Sequence, residues 1–300
     1  MSPLPLAIVN FCLRHITRRY LRRETDFARA RRRWEQVVRL TPLPRGARFA
    51  VGMLEHEGRR LPAGRIDGPG DGPLLLWLHG GAYCMGSPRT HAPMVAELAR
   101  RLGGRAVIPD YRLAPEHSFP AAVEDCLAAY RALAAEGLPA RGLVLGGDSA
   151  GGGLVFALLH LLLAEGLALP RAVVAFSPWV DLTGSGGSIT TMAGRDVMLP
   201  AERFAEIVGI YLRSADRRDP RASPVFGRFR GAPPVLILSS LHEILRDDAR
   251  MMAERLRADG VAVKHHEYPD LPHVWPLFLG LLPEAGEALG EAAAFVAAQR

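Results

Sequence analysis

Apolar and polar positions change their rhythm near residue 48. Before it, Val9, Leu13, Ile16, Tyr20, Phe27, Trp34 and Val38 recur at spacings of three, four and seven, the period of a helix with one apolar face. The spacing predicts helix over 3–40, with Thr25 or Asp26 capping a second helix after a break and Pro42 and Pro44 ending it. Beyond residue 48, short apolar runs alternate with helical stretches. Phe49–His56 and Leu61–Ile66 flank Gly58 as a predicted hairpin. Leu74–Leu78, Arg105–Ile108, Leu143–Leu145, Ala172–Phe176, Val235–Leu238 and Val261–Tyr268 read as later strands, with helices near 90–102, 119–135, 150–165, 247–259 and 284–299. Several of these strands are apolar throughout and so have no solvent face. The pattern predicts a largely parallel sheet covered by helices on both sides. One connection breaks the rhythm. Nearly sixty residues separate Phe176 from Val235, among them Gly/Ser-rich 184–188, helix-like 200–213 and charged 213–221. That is too long for a crossover and reads as an inserted lid.

Charge divides the chain at the same place. The net charge is +6, yet ten arginines between Arg14 and Arg39 face only Glu24, Asp26 and Glu35. The remainder carries 27 basic and 28 acidic residues, so the body is not built to bind a polyanion. No nucleic-acid motif accompanies the arginines, and nucleic acid is not an expected partner. Two helices packed on the body with arginines in solvent are the first expectation for the N-terminus. Peripheral contact of a basic amphipathic segment with an anionic membrane is the sharper alternative. Cys12, Cys84 and Cys126 are scattered, odd in number and lack metal-type spacing, which points to a reduced, cytoplasmic setting and no metal site. The apolar stretch Leu4 to Leu13 has no basic residues before it and no cleavage site after it, and Arg14 cuts it too short to span a bilayer.

The chemistry lies where strands end. Gly146-Gly147-Asp148-Ser149-Ala150-Gly151-Gly152 follows Leu143-Val144-Leu145 directly, a serine between glycines at a strand-to-helix turn. In that pattern the serine occupies a strained apex beside the positive end of a helix, and glycines at 147 and 151 leave room for the approach. Upstream, Leu74–Leu78 runs into His79-Gly80-Gly81-Ala82-Tyr83. A glycine loop at a strand end supplies backbone N–H groups for an oxyanion, here from Gly81 and Ala82, joined by Ala150 after the serine. His79, with Gly80, is read as bracing this loop. Downstream, the order expected for this fold is serine, acid, histidine. His273, framed by Pro272 and Trp275 after the last strand, is the candidate base. His265 and His266 lie within a strand, His160 on a helix, and His242 beside the acid.

These motifs resemble those of bacterial hormone-sensitive-lipase-like carboxylesterases of the α/β-hydrolase superfamily. The resemblance rests on His79-Gly80-Gly81, on Asp110-Tyr111-Arg112-Leu113-Ala114-Pro115-Glu116-His117 with Phe119-Pro120-Ala121-Ala122, and on Gly147-Asp148-Ser149-Ala150-Gly151-Gly152. Ser177-Pro178-Trp179-Val180-Asp181 and Pro272-His273-Val274-Trp275 complete it. It implies a mostly parallel eight-stranded sheet and a helical cap built jointly from residues 1–45 and 182–225, around a core of 46–181 and 226–300. It also implies a serine carboxylesterase acting on short-to-medium acyl esters without a cofactor, and it admits a homodimer paired through the edge strand and final helix. Two departures stand out. Ala82 replaces the family's third glycine, harmless at negative φ and strained at positive φ. The family's Asp-x-Leu-x-Asp becomes Glu243-Ile244-Leu245-Arg246-Asp247, which makes Glu243 the preferred triad acid and Asp247 the alternative. Asp247 and Asp248 are expected to cap or open the following helix, and Asp148 and Asp181 to be structural. Met192, Met198, Phe204 and Tyr211 are candidates to line the pocket. A lactonase or deacetylase would use the same triad. A membrane-tethered lipase would depend on the N-terminal helix. A non-catalytic receptor of this fold, as the resemblance has it, would lack the histidine present here as His273.

Overall fold

Strand pairing in a computed structural model, which describes residues 5–38, 41–68, 70–137 and 142–299, follows the apolar runs. The strands are β1 (Arg48–His56), β2 (Arg59–Asp67), β3 (Leu74–Leu78), β4 (Arg105–Pro109), β5 (Leu143–Asp148), β6 (Ala172–Phe176), β7 (Val235–Ser240) and β8 (Val263–Tyr268). They form one eight-stranded sheet in the order β1-β2-β4-β3-β5-β6-β7-β8. The β1–β2 hairpin joins β4 antiparallel, and every pair from β4 to β8 is parallel. Strands β3, β5, β6 and β7 are buried from end to end, which is why their sequences carry no polar alternation. Helices α4 (Pro88–Arg101), α5 (Ala121–Ala135), α6 (Ala150–Ala164), α9 (Arg246–Ala258) and α10 (Pro283–Ala297) cover the sheet, with one apolar cluster on each face.

Parallel register brings the chemistry to one edge. Leu78 pairs with Gly147, Asp148 with Phe176, Phe176 with Leu238, and Ser240 with Tyr268. The carboxyl ends of β3, β5, β6, β7 and β8 are therefore level, and the loops leaving them share one rim.

The N-terminal helix is interrupted. Helix α1 (Leu6–Cys12) passes through a π-helical stretch, Leu13–Thr17, into α2 (Arg18–Arg23), and α3 (Phe27–Val38) follows a break. Asp26, not Thr25, caps α3 by accepting the Arg29 N–H at 2.9 Å. Predicted helical positions 3, 4, 39 and 40 lie outside the described residues. One expectation of the apolar stripe fails. Val9 and Leu13 are buried, but Ile16 is 67% exposed, because the wider π turn breaks the regular 3.6-residue phase at that point. The long connection after β6 holds the short α7 (Ser188–Thr191) and α8 (Phe204–Leu212).

Candidate active site

Ser149 sits at φ +53° and ψ −123°, between the end of β5 and the start of α6. Its N–H donates to Phe176 O at 2.9 Å, and its own carbonyl accepts from Trp179 N–H at 2.9 Å, so both neighbouring segments hold the turn. The glycine box has a steric reason. A Cβ on Gly151 would lie 2.0 Å from Leu78 O, and one on Gly147 would lie 2.7 Å from the same oxygen. Only bare backbone lets α6 begin this close to the end of β3.

A continuous hydrogen-bonded line runs back from the serine. His273 Nε2 is 2.8 Å from Ser149 Oγ, and His273 Nδ1 is 2.5 Å from Glu243 Oε2. The other carboxylate oxygen of Glu243 accepts the Ser240 N–H at 2.8 Å, which fixes the acid to the end of β7. All three side chains are buried. Burial pulls the His273 pKa down, but the hydrogen bond and charge of Glu243, helped by Asp196 and Asp148, overcome it and hold it above the usual histidine value. Asp247 is not in this line. It accepts the Ser188 N–H at 2.8 Å and the Arg246 guanidinium at 2.9 Å, tying the acid loop to α7. Asp248 accepts the Val180 and Asp181 N–H groups at 2.9 Å each. Both aspartates open α9, yet neither caps its N-terminal N–H groups; the backbone N–H groups they accept belong to the neighbouring connection. Asp181 gathers the backbone and hydroxyls of Thr183 and Ser185 at the base of that connection.

Facing Ser149, the glycine loop is held from below. Gly81 has φ +124°, and a Cβ there would lie 2.3 Å from Met85 O. Ala82 has φ +56°, so this chain adopts the strained alternative, with alanine in the left-handed region at about 1–2 kcal/mol. Among the described residues, neither the Gly81 nor the Ala82 N–H has a protein acceptor. Ala150 opens α6, where first-turn N–H groups lack helical partners. His79 is fully buried, with Nδ1 2.9 Å from Gly80 O and its ring stacked on Tyr111 at 4.2 Å. Burial, then the nearby His91, pushes its pKa down to about 3, so it is neutral and belongs to the scaffold. Gly80 admits no side chain, since a Cβ would lie 2.2 Å from Asp148 Oδ2. Asp148 accepts the Trp77 indole N–H at 2.9 Å and lies 3.2 Å from His91 Nε2. Burial works against its charge, and His91 and Trp77 win, holding its carboxyl below the usual range.

Similarity to known proteins bears on the fold and the family. A family profile described as alpha/beta hydrolase fold matches residues 75–277. A Streptomyces hygroscopicus protein named acetyl-hydrolase is 42% identical over 226 residues, 75% of this chain and 76% of that one. A solved structure described as an esterase from the bacterial hormone-sensitive lipase family superposes with TM-score 0.90 at 39% identity, covering 100% of this chain and 99% of that chain. Another, a hormone-sensitive lipase from a metagenome library, superposes with TM-score 0.92 at 32% identity over all of both chains. The chain belongs to the hormone-sensitive-lipase family of α/β-hydrolases. It is a carboxylic ester hydrolase.

In this α/β-hydrolase the N-terminal helices and the long connection meet over the serine. An apolar cavity of about 110 Å³ opens on Ser149 and Ala82. Leu21, Phe27 and Ala30 from the N-terminus and Leu199, Phe204 and Ile207 from the connection line it, with Met85 and Trp179 from the body. Of the four lining candidates only Phe204 faces this cavity. Tyr211 is instead stacked on Tyr83 at 3.9 Å, and Met192 and Met198 are not part of the wall. Arg203 joins the two segments. Its guanidinium donates to Leu21 O at 2.8 Å and to Glu24 O at 2.5 Å, and it pairs with Glu206.

Sequence reasoning missed three site-supporting residues of this esterase. His91, on the first turn of α4, lies 3.2 Å from the Gly80 N–H as well as beside Asp148. Asp196 accepts the Ile244 N–H, next to Glu243, at 2.9 Å and those of Met198 and Leu199 at 2.8 Å. Burial lifts its carboxyl above the usual range despite these donors and His273. Arg203 is the third. The one available signal was position, since His91 follows the glycine loop through a Ser87–Thr90 capping box.

Proposed function

We propose that this carboxylesterase hydrolyses small esters of short-to-medium acyl groups through an acyl-enzyme. The observation that carries the reading is the line Glu243–His273–Ser149 ending at an apolar cavity. His273 Nε2 takes the Ser149 proton as Oγ attacks the ester carbonyl, then returns it to the leaving alcohol. The N–H groups of Gly81, Ala82 and Ala150 hold the developing oxyanion. Water, deprotonated by the same histidine, attacks the acyl-enzyme and frees the acid. Glu243 keeps His273 in the tautomer with its proton on Nδ1 and stabilises the imidazolium.

Residues 1–45 and 182–225 act together as a cap over the acyl group, on a core made of 46–181 and 226–300. The aromatic wall of Phe27, Trp179 and Phe204 around a narrow cavity supports a short acyl chain. So does the acetyl group named for the Streptomyces relative. The free thiols of Cys12, Cys84 and Cys126 support a reducing, cytoplasmic setting. Ser149→Ala is expected to abolish hydrolysis of p-nitrophenyl esters from acetyl to dodecanoyl and of simple lactones. Wild-type turnover should be fastest on the shorter esters. Undiminished turnover by purified, folded Ser149→Ala protein removes the serine from the mechanism, and preference for a lactone over every linear ester moves the substrate class.

A further inference from the structure

Of the ten arginines that made the N-terminus look uniformly basic, six divide into two sets. Arg14 and Arg18 turn inward and donate to the carbonyls of Gly194, Arg195 and Ala193 at 2.7–3.1 Å. Arg31 does the same on the oxyanion side, donating to Cys84 O and Ala114 O and pairing with Glu116. These bonds clamp the helices to the body. Their outer side is left with a different composition. Ile8, Phe11 and Ile16 are 49%, 64% and 67% exposed, with exposed Cys12 and His15 between them. Exposed Arg19, Arg22 and Arg23 continue the same side of the helix. Arg22 is paired with Glu202, whereas Arg19 and Arg23 have no carboxylate partner among the described residues.

We infer that the outer ridge of α1–α2 docks on the surface of an anionic phospholipid bilayer. Three large apolar side chains followed by a run of guanidinium groups match the two layers of such a surface, acyl chains below and phosphates above. A nucleic acid would use the arginines but leave the apolar ridge without a role. The mode is peripheral, because no helix among the described residues is long and apolar enough to cross a membrane. Docking has a geometric consequence for the enzyme. Leu21 on α2, and Phe27 and Ala30 on α3 just after it, line the cavity over Ser149, so the ridge would bring the acyl site close to ester partitioned into lipid.

The test is co-sedimentation of the full chain with vesicles of phosphatidylcholine containing 30% phosphatidylglycerol, and with phosphatidylcholine alone. Wild type should sediment with the anionic vesicles and much less with the neutral ones, and added salt should weaken it. Arg19→Gln/Arg23→Gln should lower the partition about thirtyfold. Ile8→Ser/Phe11→Ser/Ile16→Ser should lower it at least tenfold at unchanged fold by circular dichroism. Ser149→Ala should bind as wild type does, so vesicle binding and the ester-hydrolysis mechanism fail or stand separately. No binding by wild type overturns the inference. Binding that depends on the arginines but not on the apolar ridge also overturns it, since that is adsorption of any polyanion. A dimer in solution that the triple substitution converts to monomer assigns the ridge to a second copy of the chain instead.

Discussion

Replacing Glu243 with glutamine tests the hydrogen-bonded line at its most informative point. The glutamate uses both oxygens, Oε1 for the Ser240 N–H at 2.8 Å and Oε2 for His273 Nδ1 at 2.5 Å. A glutamine in the same place has one oxygen. If that oxygen keeps the Ser240 N–H, the amide NH2 faces Nδ1, which must then accept, and the proton moves to Nε2. Nε2–H points at Ser149 Oγ and no longer removes its proton. If the amide flips, His273 keeps its tautomer but the buried Ser240 N–H meets an NH2 group. Either outcome also removes the negative charge that stabilises imidazolium. Breaking a buried charged pair costs about 3–5 kcal/mol, and at about 1.4 kcal/mol per decade this predicts a loss in kcat/KM of roughly 10²–10⁴. The assay is hydrolysis of p-nitrophenyl butyrate across pH 5 to 9. Activity needs neutral His273, so it falls as pH drops through the histidine pKa, which Glu243 and its neighbours hold above 6.5. Removing the charge should move the residual acid limb to lower pH. Asp247→Asn is the control and should keep kcat/KM within tenfold, because Asp247 serves Ser188 and Arg246. Glu243→Gln activity above a tenth of wild type, or an acid limb that stays in place, refutes the role given to Glu243. A collapse in Asp247→Asn alone transfers the role to that residue.

Three further outcomes follow from the geometry of the site and its walls. Ala82→Gly relieves a left-handed alanine worth about 1–2 kcal/mol but adds unfolded-state entropy, so urea midpoints should rise by no more than about 1 kcal/mol equivalent. Its kcat/KM should stay within a few-fold, and a large loss would mean that the Ala82 methyl group, not only its N–H, acts on the substrate. Arg203→Met removes the bonds to Leu21 O and Glu24 O, and should lower stability by about 1–3 kcal/mol while raising KM more than it lowers kcat. An unchanged KM would separate these helices from substrate binding. Phe204→Ala opens the cavity wall and should shift the ratio of octanoate to acetate hydrolysis toward octanoate, and an unchanged ratio would place the acyl chain elsewhere.

The sheet was legible because its physics is local. Apolar runs such as Leu74–Leu78 and Ala172–Phe176 are long enough for a strand and too short for a helix, and both are buried on both faces. Boundaries moved where polar residues still pair, as when β7 continues to Ser240 through a register set by β8. The phase of the N-terminal helix was not legible. Nothing in Leu13–Thr17 marks a π turn, and that turn is what sends Ile16 outward.

The site divides along the same line, between what one backbone segment dictates and what two segments must meet to create. Glycines at 147 and 151 record a steric demand that any sequence with this turn must satisfy, so the serine could be read directly. Serine, acid and histidine each follow a strand, so level strand ends make their order informative even across 124 residues. His91, Asp196 and Arg203 carry no such mark. His91 meets a backbone N–H and a carboxylate at a crossing of two segments, Asp196 collects backbone N–H groups, and Arg203 donates to carbonyls about 180 residues away. Backbone groups are present at every residue, so a side chain that bonds to them leaves no complementary residue to find. That also explains how one basic stretch came to serve two purposes. Whether an arginine there clamps the helices or faces outward depends on carbonyls at 193–195, 84 and 114, which charge counting cannot see.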